Sequence, residues 1–176
     1  MPEHGYSSDA LNELIFISKY AGMREDLTQA GGGNTSIKID DTRMLIKTSG
    51  VQLADISKNS GYSVVDYTEI KQHLIRLLDG SSTYSANEIL EETLLEGKRP
   101  SIETFLHAIT ERVTLHTHSV AVNVLTARMG GMEILKTLFL NALAVDYATP
   151  GLTWQSFIIR HIQKKKTAGA VPEAFP

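Results

Sequence analysis

Gly31-Gly32-Gly33-Asn34-Thr35-Ser36-Ile37-Lys38-Ile39, then the turn residues Asp40-Asp41 and Met44-Leu45-Ile46-Lys47-Thr48, reads as a glycine-rich entry into a β-hairpin that closes at Ser49-Gly50. No Gly-Lys-Ser follows the glycines, so this is not a Walker phosphate loop. A strand rather than a helix comes next, which removes the dinucleotide-binding reading. What remains open is a tight turn, or a ring of free amides with the Asn34 and Ser36 side chains that could surround an anion. Lys47-Thr48-Ser49-Gly50 offers a second turn with hydroxyls and amides. Hairpin geometry returns both turns to one end of the sheet, where they could share one phosphate.

Working outward, Ser8-Asp9 and the spaced apolar set Leu11, Leu14, Ile15, Ile17 and Ala21 predict an N-capped amphipathic helix ending near Gly22. Residues 64–67 are a short strand, and 68–78 a helix that stops near Gly80. Arg99-Pro100-Ser101 is a loop that launches a second helix over 102–109, and residues 112–118 form a β-rich segment directly after it. Further helix is expected over 121–127 and, past Gly130-Gly131, over 133–143. A strand at 145–148, a turn at Thr149-Pro150-Gly151 and a helix over 154–166 complete the pattern. This order lacks a regular βαβ rhythm, which argues for an α/β sandwich with a mixed or antiparallel sheet.

The 176 residues are the size of one domain, and no repeat or low-complexity linker divides them. Seventeen Lys and Arg against 20 Asp and Glu give a net charge of −3, which disfavours nucleic acid as a partner. There is no cysteine, so disulfides, thiol catalysis and cysteine-held metals are excluded, and His, Asp and Glu remain as the metal ligands available. The first ten residues do not form a signal peptide, and no apolar run is long enough for a membrane span. The expectation is a cytoplasmic protein with no membrane partner.

His116-Thr117-His118 is the sharpest chemical signal. Residues two apart on a strand point to one face and can both reach one metal ion, although two surface histidines on a half-exposed strand would look the same. Glu103 lies near the start of the preceding helix, where a carboxylate is also ordinary helix-end chemistry. His107, one turn on, shares its face and could bind metal, support the ligands or simply pair with Glu103; the supporting or structural role is favoured. Lys164-Lys165-Lys166 reads as a solvated helix end.

In their order and spacing, Gly-Gly-Asn-Thr-Ser at 32–36, Lys-Thr-Ser-Gly at 47–50, Pro-Ser-Ile-Glu-Thr at 100–104 and His-Thr-His at 116–118 resemble the class II aldolase/adducin family. The resemblance covers about residues 8–151, and aldolase domains fused to sugar dehydrogenases are similar in their Gly-Gly-Gly-Asn-Thr-Ser and Pro-Ser-x-Glu segments. It implies a three-layer α/β/α sandwich with a mixed, largely antiparallel central sheet, and a homotetramer with sites near subunit interfaces. By the same resemblance His116 and His118 look like two of three histidines that bind Zn²⁺ or another divalent metal. Glu103 looks like the carboxylate that binds metal at rest and then moves a proton. Asn34, Ser49, Gly50 and Ser101 look like the cradle for the phosphate of a small sugar-phosphate substrate.

The family's third histidine stands in an Asn-His-Gly segment further along the chain. His161 lacks those neighbours and does not inherit the role, which implies that residues 1–176 form a single domain lacking its C-terminal strands and helices. Ile102 stands where sugar-phosphate aldolases often carry a second Ser, removing one hydroxyl donor. The implied reaction is the zinc-dependent retro-aldol cleavage of a phosphorylated ketose through an enediolate, an aldehyde-lyase activity. The alternatives are a sugar-phosphate epimerase or dehydratase using the same metal site, and an adducin-like interaction module without catalysis.

Overall fold

The computed structural model describes residues 8–140 together with 142, 144 and 145. Helix α1 (Ser8–Gly22) leads into a hairpin of β1 (Asn34–Lys38) and β2 (Arg43–Lys47), and then, past a short 3₁₀ turn at Leu53–Asp55, into β3 (Tyr62–Asp66). Helix α2 (Tyr67–Asp79) starts without a linker because the Asp66 carboxylate caps it, accepting from the N–H groups of Thr68 and Glu69. Gly80, in the left-handed region at φ 80°, ends it. Next come α3 (Ala86–Glu92), β4 (Leu94–Glu96), α4 (Thr104–Ile109), β5 (Val113–His116), α5 (Val120–Thr126) and α6 (Gly131–Leu138).

The strands form one five-stranded sheet in the order β4-β3-β2-β1-β5, and every ladder between them is antiparallel. Alternation along β2 supplies a core on each face. Met44 and Ile46 pack with Val65, with Ile70 and Leu74 of α2, Ile89 and Leu90 of α3, and Phe105 of α4. Leu45 faces the other way, joining Ile37 and Val64 to Leu11 and Leu14 of α1 and to Leu53 and Ile56. The Ser18 and Thr35 hydroxyls, 2.6 Å apart, bond α1 to β1 within that second core.

The mixed helix and strand order and the antiparallel sheet match the sequence expectation, and the hairpin lies within a residue of its expected bounds. Three differences have physical causes. Tyr67 opens α2 instead of closing β3, because Asp66 caps at that point. The strand expected over 112–118 ends at His116, where β1 ends opposite it at Asn34 and offers no further partner. Helix α3 was not anticipated, although Ser85 and Glu88 make a reciprocal capping box, and neither was the three-residue β4. The turn at 149–151 and the helix expected over 154–166 lie outside the described residues, as does all of the strand expected at 145–148 except Val145.

Candidate active site

The antiparallel register brings the start of β1, the end of β2 and the end of β5 to one edge of the fold. Asn34 stands opposite His116 and is fully buried, its Oδ1 accepting from the N–H of Thr35. Gly33, at φ +78°, must be glycine here, since a Cβ would come within 2.7 Å of Thr28 Cγ2 and 3.0 Å of the His116 carbonyl oxygen. A Cβ on Gly32 would lie 2.7 Å from His118 Nδ1, so the glycine-rich turn sits directly under the His118 ring. The His118 N–H donates to the carbonyl of Leu27 at 2.8 Å, which fixes the chain just past β5. The His116 and His118 rings are 5.1 Å apart, centre to centre. They are therefore neighbours although only His116 belongs to the strand.

The second turn and the helix α4 reach the same place through backbone pairing. The Ser49 N–H donates to the Arg99 carbonyl at 3.0 Å and the Ser101 N–H to the Lys47 carbonyl at 3.2 Å, with Thr48 and Pro100 bridged between them. Gly50 turns the chain at φ +77°. Ser101 Oγ accepts from the Glu103 N–H at 3.3 Å. Glu103 precedes the first residue of α4, but its carboxylate caps no N–H, so it is not consumed by helix-end chemistry.

Glu103 Oε2 and His116 Nδ1 are 3.8 Å apart. Both atoms are buried and without a hydrogen-bond partner, as are Asn34 Nδ2 and His107 Nε2. Burial raises the Glu103 carboxyl above its ordinary value. Burial, and then the nearby His118, hold the His116 imidazole down to about 4. Burial thus disfavours the charged form of each group. Orphaned buried donors and acceptors are rare, and four of them around one sheet end suit a ligand that would satisfy them. Among the described residues no three His, Asp or Glu side chains are gathered closely enough to hold a metal ion. The chemistry of the set nonetheless fits a divalent cation: two adjacent imidazoles, one kept neutral as a ligand must be, and a carboxylate with an unspent oxygen.

His107 does not pair with Glu103. It is fully buried on α4 and its Nδ1 lies 2.7 Å from Ser36 Oγ, across 71 residues of sequence. Sequence reasoning did not single out Ser36 as its partner, because the contact depends on β1 and α4 facing each other. Burial, and then the charges of His116 and Lys38, lower the His107 imidazole to about 3.

These shifts fix a sign for acid stability. In the unfolded chain a histidine binds a proton near about pH 6.5, whereas folded His107 and His116 stay neutral until about 3 and about 4. The unfolded state therefore gains protons first, and each histidine should remove up to about 1.4 kcal/mol per pH unit as pH falls through that window. Glu103, raised by burial, opposes this in part. Urea unfolding midpoints should fall from about pH 7 to about pH 4.5, and His107→Gln should flatten the slope. A midpoint that does not move would contradict the burial of neutral imidazoles.

Residues 12–171 match the Class II Aldolase and Adducin N-terminal domain. The chain belongs to that family. One relative, the uncharacterized oxidoreductase YuxG of Bacillus subtilis (strain 168), is 28% identical over 173 residues, which span 92% of this chain and 25% of that protein. The chain thus covers about a quarter of the length of this curated relative. The N-terminal class II aldolase domain of a conserved protein from Thermoplasma acidophilum has the same fold, with a TM-score of 0.74 at 22% identity, covering 91% of this chain and 78% of the other. The class II aldolases of that family are lyases and related enzymes that typically use a divalent metal. Among the described residues, no helix is long and apolar enough to cross a membrane.

Proposed function

We propose that this class II aldolase domain, built as three α/β/α layers, is the catalytic unit of a zinc-dependent cytoplasmic lyase that cleaves a phosphorylated ketose by retro-aldol chemistry. The observation that carries this is the buried, partnerless Glu103 Oε2 facing the equally partnerless His116 Nδ1 at 3.8 Å. His116, His118 and Glu103 would hold the cation. When bound, a divalent cation there would act as a Lewis acid on the substrate carbonyl.

The remaining roles belong to the chain's own groups. Glu103, raised by burial, is suited to take a proton from the substrate hydroxyl as the carbon–carbon bond opens and to return one to the new carbon centre. The turns at Gly32–Gly33 and Ser49–Gly50, with the Ser101 hydroxyl, would orient the phosphate, and Asn34 Nδ2 is a buried donor still without an acceptor. The exposed apolar side chains Val113 and Leu115 of β5 and Val120 and Val124 of α5 support assembly into a homo-oligomer, a tetramer by family resemblance, in which that edge is covered.

The test is incubation of the complete gene product, loaded with zinc, with a panel of phosphorylated ketoses, followed by product analysis. Release of a triose phosphate and an aldehyde is the expected result. An epimer or a dehydrated sugar would replace the lyase by the epimerase or dehydratase reading. Failure of the complete protein to bind zinc, or zinc binding without turnover of any member, would point to an interaction module.

A further inference from the structure

At the opposite end of β1 from Asn34, a cavity of about 360 Å³ opens between the β1–β2 turn, α2 and the segment from α4 to β5. Lys38 is half-buried in its wall, with its Nζ donating to the Thr110 carbonyl. The Lys38 ammonium also sits 4.8 Å from the centre of the Tyr67 ring, and the Lys71 ammonium from α2 sits 4.9 Å from the same ring. Two like charges therefore lie against one ring, that of Tyr67, which is itself almost wholly buried. Three acids also line the cavity: Asp40 is engaged by the Thr42 and Arg43 N–H groups and the Arg43 side chain, while Asp41 and Glu111 stand beside it, and Glu111 partly offsets the effect of Lys71 on Lys38.

We propose that Lys38 is a reactive amine and that this cavity takes small aldehydes or ketones, which Lys38 captures as an imine. Desolvation and a neighbouring cation are the two conditions that turn a lysine into a nucleophile, because both disfavour its charged form. In the capture step the Nζ lone pair adds to the carbonyl carbon to give a carbinolamine. One nitrogen proton passes to the oxygen as the carbinolamine forms, and the second is lost from nitrogen as the protonated oxygen leaves as water, so that the C–O bond breaks and a C=N bond remains. Hydrolysis reverses the step, so no oxidant or reductant is needed. The site lies at the other end of the sheet from Glu103 and His116 and does not depend on the lyase reading.

Burial, with the charge of Lys71 adding to it, lowers the Lys38 ammonium to about 8. At neutral pH about a tenth of such an amine is unprotonated, against less than about 0.1% of an ordinary lysine, so even with its lower basicity it should react at least about tenfold faster.

The experiment is reductive alkylation of the folded protein with acetaldehyde and cyanoborohydride near neutral pH, followed over time by peptide mass spectrometry. The solvent-exposed lysines Lys58 and Lys98 serve as internal controls. Lys38 should be ethylated at least about tenfold faster than either. Lys71→Met, checked for unchanged melting, should shrink that lead severalfold, and Lys71→Arg should restore it. Labelling of Lys38 no faster than Lys58, or a lead that survives Lys71→Met intact, would overturn the proposal.

Discussion

Glu103→Gln should lower turnover of a phosphorylated ketose by about a hundredfold or more, the scale expected when a general base is lost, while leaving the melting curve in place. The substitution keeps the side chain's length and one acceptor oxygen and removes its basicity. Folding should tolerate it because the Glu103 carboxylate makes no helix cap, and its Oε2 makes no hydrogen bond. An amide at that position would even relieve the burial of an ionisable group whose carboxyl is already raised. The measurement is steady-state kinetics of the zinc-loaded protein beside a thermal melt. Turnover within a few-fold of the parent would remove Glu103 from proton transfer, whatever the fate of the metal.

Phe105→Ala should be the most damaging single core change, at about 3–5 kcal/mol. Phe105 is fully buried and belongs to the cluster that joins Met44 and Ile46 of β2 to α2 and α3. Helix α4 has only six residues, too few to be stable by itself, so it depends on this anchor. The same short helix carries His107 against Ser36 and follows directly on Glu103. Denaturant unfolding should therefore report the large loss, and Phe105→Leu, which refills most of the volume, should recover the greater part of it. Loss of less than about 1 kcal/mol for the alanine variant would mean that α4 is not held through this side chain.

What can be read from the sequence divides along the range of the signals. The hairpin, α1 and α2 are legible because a turn pair, a cap or an apolar stripe lies within each segment. Helix α3 carried an equally local signal in Ser85 and Glu88, whereas β4, three residues long and mostly exposed, is too short for alternation to register. At the site, the residue types and their order point to Glu103, His116 and His118. The closeness of the two imidazoles, however, does not come from strand alternation as the His-x-His spacing suggests. His118 lies beyond β5, held by the Leu27 carbonyl and seated over Gly32. The Ser36–His107 bond and the Lys38–Tyr67–Lys71 stack lie further out of reach, since each joins residues whose proximity only the assembled sheet determines.

The strand order β4-β3-β2-β1-β5 places β1 between its immediate successor in sequence and a strand that arrives only after most of the described chain has passed. The β1–β2 ladder closes a loop of a few residues, while the β1–β5 ladder must close one that contains three strands and three helices. Closure entropy rises with loop length, and non-local pairing is the slow part of folding. These separations predict that the hairpin pairs before the histidine strand docks on it. Asn34, Ser49 and Gly50 wait at the edge of that hairpin, and His116 and His118 reach them only when the last ladder zips. The centre is consequently complete only when that last ladder is in place, because Asn34 and His116 stand opposite each other across it.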